Sequence, residues 1–289
     1  MSSIEKAIDK LAKNPLSNKE QKYKESVPVV ANTQELPRVE TEKKPNNKKV
    51  AILPILESRQ MITPALSNSK QAEEYRIIKR PVLSNVNRAG SGREKKPNVV
   101  LISSAFSGEG KTYTAANLAM SIATERDRSV LLIDCDVEKH AMSSMFGIDK
   151  EIGLLDCLLN DKVTIGDVIV STDVASLKII PAGLKHNYST ELLASEEMGR
   201  VIDEISRRYQ DRIIILDSPP LLMTSQSVVL TTYADQVLLV VEEGVTTQKS
   251  VLEALSKLDN NKIIGTILNK RSRMNGGEQY GEYYGNYGG

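Results

Sequence analysis

The chain has no tryptophan and only two phenylalanines among its 289 residues. Any core must therefore be filled by aliphatic side chains. Two cysteines, Cys135 and Cys157, exclude a disulfide framework and are expected to be reduced. Two isolated histidines, His140 and His186, make a zinc site a poor reading. No apolar run approaches the ~20 residues that cross a bilayer. The opening Met1-Ser2-Ser3-Ile4-Glu5-Lys6 lacks the apolar core of a signal peptide, so a cytoplasmic protein is expected. No internal repeat of roughly 20–50 residues is visible.

Charge is plentiful but divided. Residues 1–98 carry 20 Lys/Arg and 11 Asp/Glu, a balance of +9, whereas residues 99–289 carry 18 and 26, a balance of −8. The pattern is a basic arm on an acidic globule. Such an arm suits an anionic membrane face or an acidic partner, and its mixed signs suit a solvated linker equally well. No nucleic acid is expected as a partner.

Along the chain, Ser2-x-x-Glu5 has the form of a capping box, and Ile4, Ala7, Ile8 and Leu11 recur at helical spacing. Residues 1–13 read as a short amphipathic helix. Residues 14–69 read as a disordered basic linker, rich in Pro, Asn, Lys and Glu up to about residue 50. Pro54 argues against a strand over Val50–Ile55. Residues 70–83 read as a helix, and 84–98 return to linker character. From there apolar strand candidates at 98–103, 129–134, 177–181, 212–217, 236–241 and 263–268 alternate with helix candidates at 111–126, 141–145, 151–159, 191–209 and 247–258. Alternation of this kind predicts an α/β fold with a mostly parallel sheet between layers of helix. The domain is read as 70–273. Residues 274–289, rich in Gly and Tyr, read as a flexible tail.

One stretch organises the rest. Ala105-Phe106-Ser107-Gly108-Glu109-Gly110-Lys111-Thr112 has the form of a phosphate-binding loop, with a strand before it and a helix after it. Gly108 and Gly110 let backbone N–H groups converge on phosphate oxygens, and the helix N-terminus adds partial positive charge there. Lys111 is suited to the β- and γ-phosphates, and the Thr112 hydroxyl to Mg²⁺. Two further strands end in acids: Leu132-Ile133-Asp134-Cys135-Asp136 and Ile215-Leu216-Asp217-Ser218-Pro219-Pro220. Each alone is weak evidence, because strands often end in Asp for turn chemistry. A phosphate loop with two acidic strands in this order is far more specific. It reads as a P-loop NTPase site that hydrolyses or transfers from ATP or GTP. Cys135, between the acids, reads as a small buried side chain.

These three motifs, with Asn117-Leu118-Ala119 on the first helix, resemble the Walker A, A′ and B set of bacterial tyrosine kinases. Glu73-x-x-Arg76-x-x-Lys79 is similar to their oligomerisation helix, with Lys in the last place, and the tyrosine-rich end resembles their autophosphorylated tail. Ser2-Ser3-Ile4-Glu5, Glu74-Tyr75-Arg76-Ile77 and Thr190-Glu191-Leu192-Leu193 look like the tyrosine autokinases of exosortase-linked exopolysaccharide loci. The resemblance implies ATP and Mg²⁺ as cofactors, bound by 107–113 (Ser107, Gly108, Glu109, Gly110, Lys111, Thr112, Tyr113) and by Asn269 at the adenine. It implies Lys111, Asp134, Asp136 and Asp217 as catalytic groups, with Thr112, Asp134 and Asp217 at the metal. Tyr280, Tyr283, Tyr284 and Tyr287 would be the phosphoacceptors, modified in trans. Glu73, Arg76 and Lys79 would join protomers in a ring-like homo-oligomer. A separate membrane-embedded chain-length-determinant protein would recruit the kinase to the inner membrane, and a tyrosine phosphatase would reverse it. Two places depart from the family pattern. Glu138 stands where an Arg is common, with Lys139 next to it. Phe106 stands where the related positioning ATPases carry a signature Lys, which weighs against the alternative of a partner-switched ATPase without kinase activity.

Overall fold

The computed structural model describes residues 49–88, 97–208, 211–259 and 261–271. The expected helix over 1–13, most of the expected linker and the tyrosine tail lie outside the described residues.

Short runs of Val, Ile and Leu form eight strands: β1 (Lys49–Val50), β2 (Val99–Ser104), β3 (Ser129–Asp134), β4 (Val170–Thr172), β5 (Leu177–Ile180), β6 (Arg212–Asp217), β7 (Gln236–Glu242) and β8 (Ile263–Asn269). They make one sheet in the order β1-β4-β5-β3-β6-β2-β7-β8. Its pairings are parallel except for the antiparallel β4–β5 pair. The helices are α1 (Leu53–Ser58), α2 (Lys70–Arg88), α3 (Lys111–Ala123), α4 (Ala141–Met145), α5 (Leu154–Leu159), α6 (Ile165–Val168), α7 (Ser189–Leu193), α8 (Glu196–Arg208), α9 (Ser225–Tyr233) and α10 (Gln248–Ser256). This is the α/β, P-loop NTPase-like architecture that the alternating pattern predicts.

The sheet is buried on both faces, as a parallel sheet needs to be. Side chains alternate between them with period two. On β3, Leu131 and Ile133 join one core with Leu216, Leu239 and Ile202, while Val130 and Leu132 join the other with Leu118, Ile122 and Tyr75. Because β2, β3 and β6 are adjacent and parallel, their carboxyl ends emerge together. The register sets Asp134 opposite Asp217 and Ile102 opposite Asp217. That register brings the phosphate loop and both acidic strand ends to one place.

Several local expectations need correction. The linker expected over 14–69 is folded from residue 49. β1 pairs with β4, and Ile52, Leu56, Met61 and Ile62 are buried in the core that holds α3. Asp173 accepts the N–H groups of Ile52 and Leu53 at 2.9 and 3.2 Å. No strand runs over 51–55, in line with Pro54; that residue sits in the first turn of α1, where a missing N–H breaks no helical bond. The helix expected over 70–83 runs on to Arg88 through Pro81, because Val82 and Val86 continue its buried stripe. The helix expected over 191–209 is two helices, with Ser195 Oγ accepting the Met198 N–H at 3.2 Å where the second begins. The helix expected over 151–159 starts at Leu154. Helices α6 and α9 and strand β4 had no expectation. α9 is short and weakly patterned, and the Thr224 side chain caps it through the Ser227 N–H.

Candidate active site

The loop after β2 turns through two left-handed glycines, Gly108 at φ +92° and Gly110 at φ +97°. A Cβ on Gly110 would run into the Asn269 side-chain amide, and the left-handed backbone there favours glycine. Asn269 ends β8 and donates from Nδ2 to the Glu109 carbonyl at 2.9 Å. The amide that the resemblance gives to adenine is therefore engaged with the loop backbone in this structure. Glu109 turns inward: its carboxylate accepts the Phe106 N–H at 2.8 Å and pairs with the Thr246 hydroxyl. Phe106 is 41% exposed at the loop tip. Tyr113 points away, its hydroxyl accepting from Gln71 Nε2 at 2.5 Å. Its backbone N–H lies in the first turn of α3, where N–H groups have no acceptor within the helix.

Three carboxylates and a buried lysine converge beneath this loop. Three donors hold Asp134: the Asp136 N–H at 3.1 Å, the Ser143 N–H at 2.8 Å and the Ser143 hydroxyl at 2.6 Å. Ser143, on α4, also accepts the Ala182 N–H at 3.0 Å. Ser143 was not among the expected residues, and its distance from Asp134 in the chain leaves no local signal for it. Asp136 accepts the Lys139 N–H at 3.3 Å, which tightens the turn. Lys139 then donates from Nζ to Ser107 Oγ at 2.5 Å. Glu138 faces elsewhere, 3.4 Å from both Ser189 Oγ and Gln226 Nε2. Lys139, and not Glu138, presents its charge to the phosphate loop.

Asp217 differs from the other acids. It is fully buried, and among the described residues neither carboxylate oxygen has a hydrogen bond of good geometry, the Thr112 hydroxyl being the polar group close by. Burial and the neighbouring Asp134 push its pKa up to about 8, while Thr112 and Lys111 nearby act the other way. Asp134 is pushed up to about 6 by burial, with the Ser143 bonds opposing. Burial lowers the Lys111 pKa, and Asp217 and Asp136 oppose that. An unpartnered buried carboxylate is costly unless something else binds it. A hard divalent cation with oxygen preference fits Asp217 and the Thr112 hydroxyl, because such ions bind through one or two protein oxygens plus phosphates. Asp134, already taken by three donors, fits less well as a direct ligand. Burial pushes the Cys135 thiol well above its ordinary value, and His140 Nε2 donates to the Val137 carbonyl at 2.7 Å, so both serve the fold.

The residues of the expected oligomerisation helix divide. Arg76 pairs with Glu73 at 2.6 Å on the exposed side of α2 and also binds the Ser67 carbonyl. Lys79 is only 8% exposed. It bonds the Ser121 carbonyl at 2.9 Å and Glu125 at 2.5 Å within its own chain. The acceptor tyrosines 280, 283, 284 and 287 lie outside the described residues. Among the described residues no helix is long and apolar enough to cross a membrane.

A phosphate loop between strand and helix, with acids at the ends of the neighbouring strands, defines a P-loop nucleotide-binding protein. A family model described as an AAA domain matches residues 98–270, more than half of the chain. Tyrosine-protein kinase YwqD of Bacillus subtilis is 31% identical over 229 residues, which are 78% of this chain and 92% of that protein. Tyrosine-protein kinase CpsD of Streptococcus agalactiae is 30% identical over 231 residues, covering 79% of this chain and 95% of that one. Tyrosine-protein kinase wzc of Salmonella typhi is 33% identical over 189 residues, and there the chain spans about a quarter of the relative, 26%. Among solved structures, the VpsO kinase domain matches with a TM-score of 0.57 at 31% identity, covering 71% of this chain and all of that one. The chain belongs to the bacterial tyrosine-protein kinases.

Proposed function

We propose that this chain is an ATP-dependent protein-tyrosine autokinase that phosphorylates the tyrosine cluster of a neighbouring copy. The observation that carries the reading is Asp217: a buried carboxylate without a hydrogen bond of good geometry among the described residues, beside Thr112 and Lys111, on the strand next to Asp134. Such a group is arranged to meet a cation brought in with a nucleotide. When bound, MgATP supplies the γ-phosphoryl group and the charge that draws Asp217 into its ionised form.

The chain's own residues do the rest by positioning and charge neutralisation. Backbone N–H groups of 108–113 and the Lys111 ammonium face the phosphates. Lys139 adds a second cation at Ser107. Thr112 and Asp217 would hold Mg²⁺. The phenol oxygen of the acceptor forms a bond to Pγ as the bond from Pγ to the β-bridging oxygen breaks. The phenol proton passes to the Asp134–Asp136 pair. Free tyrosine has a pKa of about 10, so this carboxylate wall is needed to remove it. Asp134, with its pKa near 6, is ionised at neutral pH and able to accept.

The acceptors are Tyr280, Tyr283, Tyr284 and Tyr287, a cluster interleaved with glycine in the sequence. Phosphorylation would run between copies in a ring-like oligomer joined through α2, and a tyrosine phosphatase would reverse it. A membrane-embedded chain-length-determinant protein would hold the cytoplasmic kinase at the inner membrane, and the phosphorylation cycle would regulate exopolysaccharide chain length, polymerisation or export. The alternative of a positioning ATPase has support from the fold only: Mg-ADP-bound MinD of Pyrococcus horikoshii matches with a TM-score of 0.51 at 24% identity.

Intact-mass measurement after incubation with MgATP tests the reading. Increments of one phosphate that map to the peptide after Arg273 support it. Lys111→Met should abolish them while leaving the circular dichroism spectrum unchanged, because the lysine's contribution is to charge in transfer. Wild-type protein that hydrolyses ATP without gaining mass would overturn it.

A further inference from the structure

A cavity of about 580 Å³ opens beside the phosphate loop, lined by Arg59, Thr112, Tyr113, Ala141, Ser144 and Met145. Apart from Thr112 and Tyr113, its lining residues have no role in the site described so far. We propose that it is the acceptor pocket, and that Arg59 selects tyrosines flanked by acidic residues. This deepens the kinase reading and rests on it.

Four observations converge. First, the cavity meets the phosphate loop at Thr112, so a group seated in it lies next to the metal end of the nucleotide site. Second, its far wall is α4, the helix whose Ser143 fixes Asp134 with two hydrogen bonds. The pocket and the proton-accepting carboxylate therefore share one rigid element. Third, its lining suits a phenol ring. Tyr113 offers an aromatic body and Met145 a thioether, and sulfur–aromatic contact is favourable. The volume falls in the range of small-ligand clefts, roughly 300–1,000 Å³. Fourth, Arg59 follows α1, is exposed, and carries no side-chain hydrogen bond or ion pair among the described residues.

The sequence supplies the complement. The tail 276–289 carries Glu278 and Glu282 and no Lys or Arg, and its first three tyrosines all lie within two residues of one of these acids. Lys111 and Lys139 serve the phosphate side of the site, so a tail bringing Glu278 and Glu282 past Asp134, Asp136 and Asp217 still gains from a cation in the lining of this cavity. Arg59 is that cation, and a guanidinium pairs with a carboxylate in a fixed fork. It is a specificity residue, supplied by the strap at 49–66, and it touches the residues beside the tyrosine rather than the reacting atoms.

The test is binding of a fluorescein-labelled synthetic peptide of residues 276–289 to the full chain holding the imido analogue of MgATP, read by anisotropy. Arg59→Glu should weaken binding about tenfold, since one attraction becomes a repulsion. A peptide with Glu278→Lys and Glu282→Lys should bind Arg59→Glu better than it binds the wild type. Arg59→Gln should weaken the native peptide by about threefold. Unchanged affinity in both variants, or lost affinity that the swapped peptide does not recover, would overturn the proposal. If wild-type protein phosphorylates its tail while the peptide ignores Arg59, the acceptor pocket fails and the kinase reading stands.

Discussion

Nζ of Lys139 donates to Oγ of Ser107 at 2.5 Å, so the turn after β3 already touches the phosphate loop. The contact gives a position-specific expectation. Lys139→Ala removes a cation from the edge of the site and should lower the autophosphorylation rate about 10- to 100-fold. Lys139→Arg should retain most activity, because the charge and the reach are kept. Glu138→Arg, which restores the residue common in the family, should not rescue Lys139→Ala, since Glu138 faces Ser189 and Gln226. Single-turnover labelling of the three variants decides it.

The two raised carboxylates set a pH dependence. Asp217 near 8 and Asp134 near 6 stay protonated in the folded chain where an unfolded carboxylate, at about 4, has ionised. The folded state then binds more protons, and stability falls as pH rises from about 4 to 8. Nucleotide-free protein should therefore show a lower Tm at pH 8 than at pH 5.5 from these groups. MgADP should raise the Tm more at pH 8, because ionised Asp217 meets the cation. Asp217→Asn should flatten the profile and stabilise the nucleotide-free protein at pH 8 by about 1–3 kcal/mol. A Tm of Asp217→Asn no higher than wild type at pH 8 would count against this account.

Assembly through α2, as proposed, is separable from folding by mutation. Glu73→Ala with Arg76→Ala should shift light scattering toward monomer, reduce tail phosphorylation and leave nucleotide affinity intact. Lys79→Ala should lower stability instead, by about 1–3 kcal/mol, since it removes a buried ammonium bonded to Ser121 and Glu125. Urea titration of each variant distinguishes the two effects. Equal loss of oligomer in both, without loss of stability in Lys79→Ala, would return Lys79 to the interface.

The tail predicts a switch. Each phosphate adds about −1.5 to −2 charges, so four add roughly −6 to −8 to a protomer whose tails must approach an acid-walled site. MgATP should drive the oligomer apart as phosphate accumulates, and a phosphatase should restore it. Replacing Tyr280, Tyr283, Tyr284 and Tyr287 by Phe should leave a constitutive, ATP-binding oligomer. Dissociation of that variant with MgATP at the native rate would remove the tail from the mechanism.

Much of this architecture was legible because it is written in local patterns. The runs that became β2, β3, β6, β7 and β8 are short, β-branched and unbroken, and a phosphate loop announces itself by spacing. Asp134 and Asp217 were readable as strand-end acids, and parallel pairing then placed them side by side. What escaped was non-local or too short to carry a pattern. The six-residue helix α1 is too short to show a helical period. Ser143 acts on an acid nine positions away through a packed helix. Lys79 looked like one of three equivalent surface charges, and only the packing of α2 on α3 shows it to be internal. The hydrogen bond from the Asn269 amide to the Glu109 carbonyl, across 160 positions, has no signal in the sequence.

The strap at 49–66 also works as a mechanical linkage. It leaves the basic arm at β1, is held at the sheet edge by two residues of pairing and by Asp173, and ends with the Ile62 N–H on Asn117 Oδ1 at 2.8 Å. Asn117 lies in the middle of α3, the helix that starts at the phosphate loop. A tension applied along the arm is thus borne first by the weak edge pairing and last by the helix that grips phosphate. A kinase tethered through its arm would feel force at its catalytic loop, with the two-residue strand as the link that parts first.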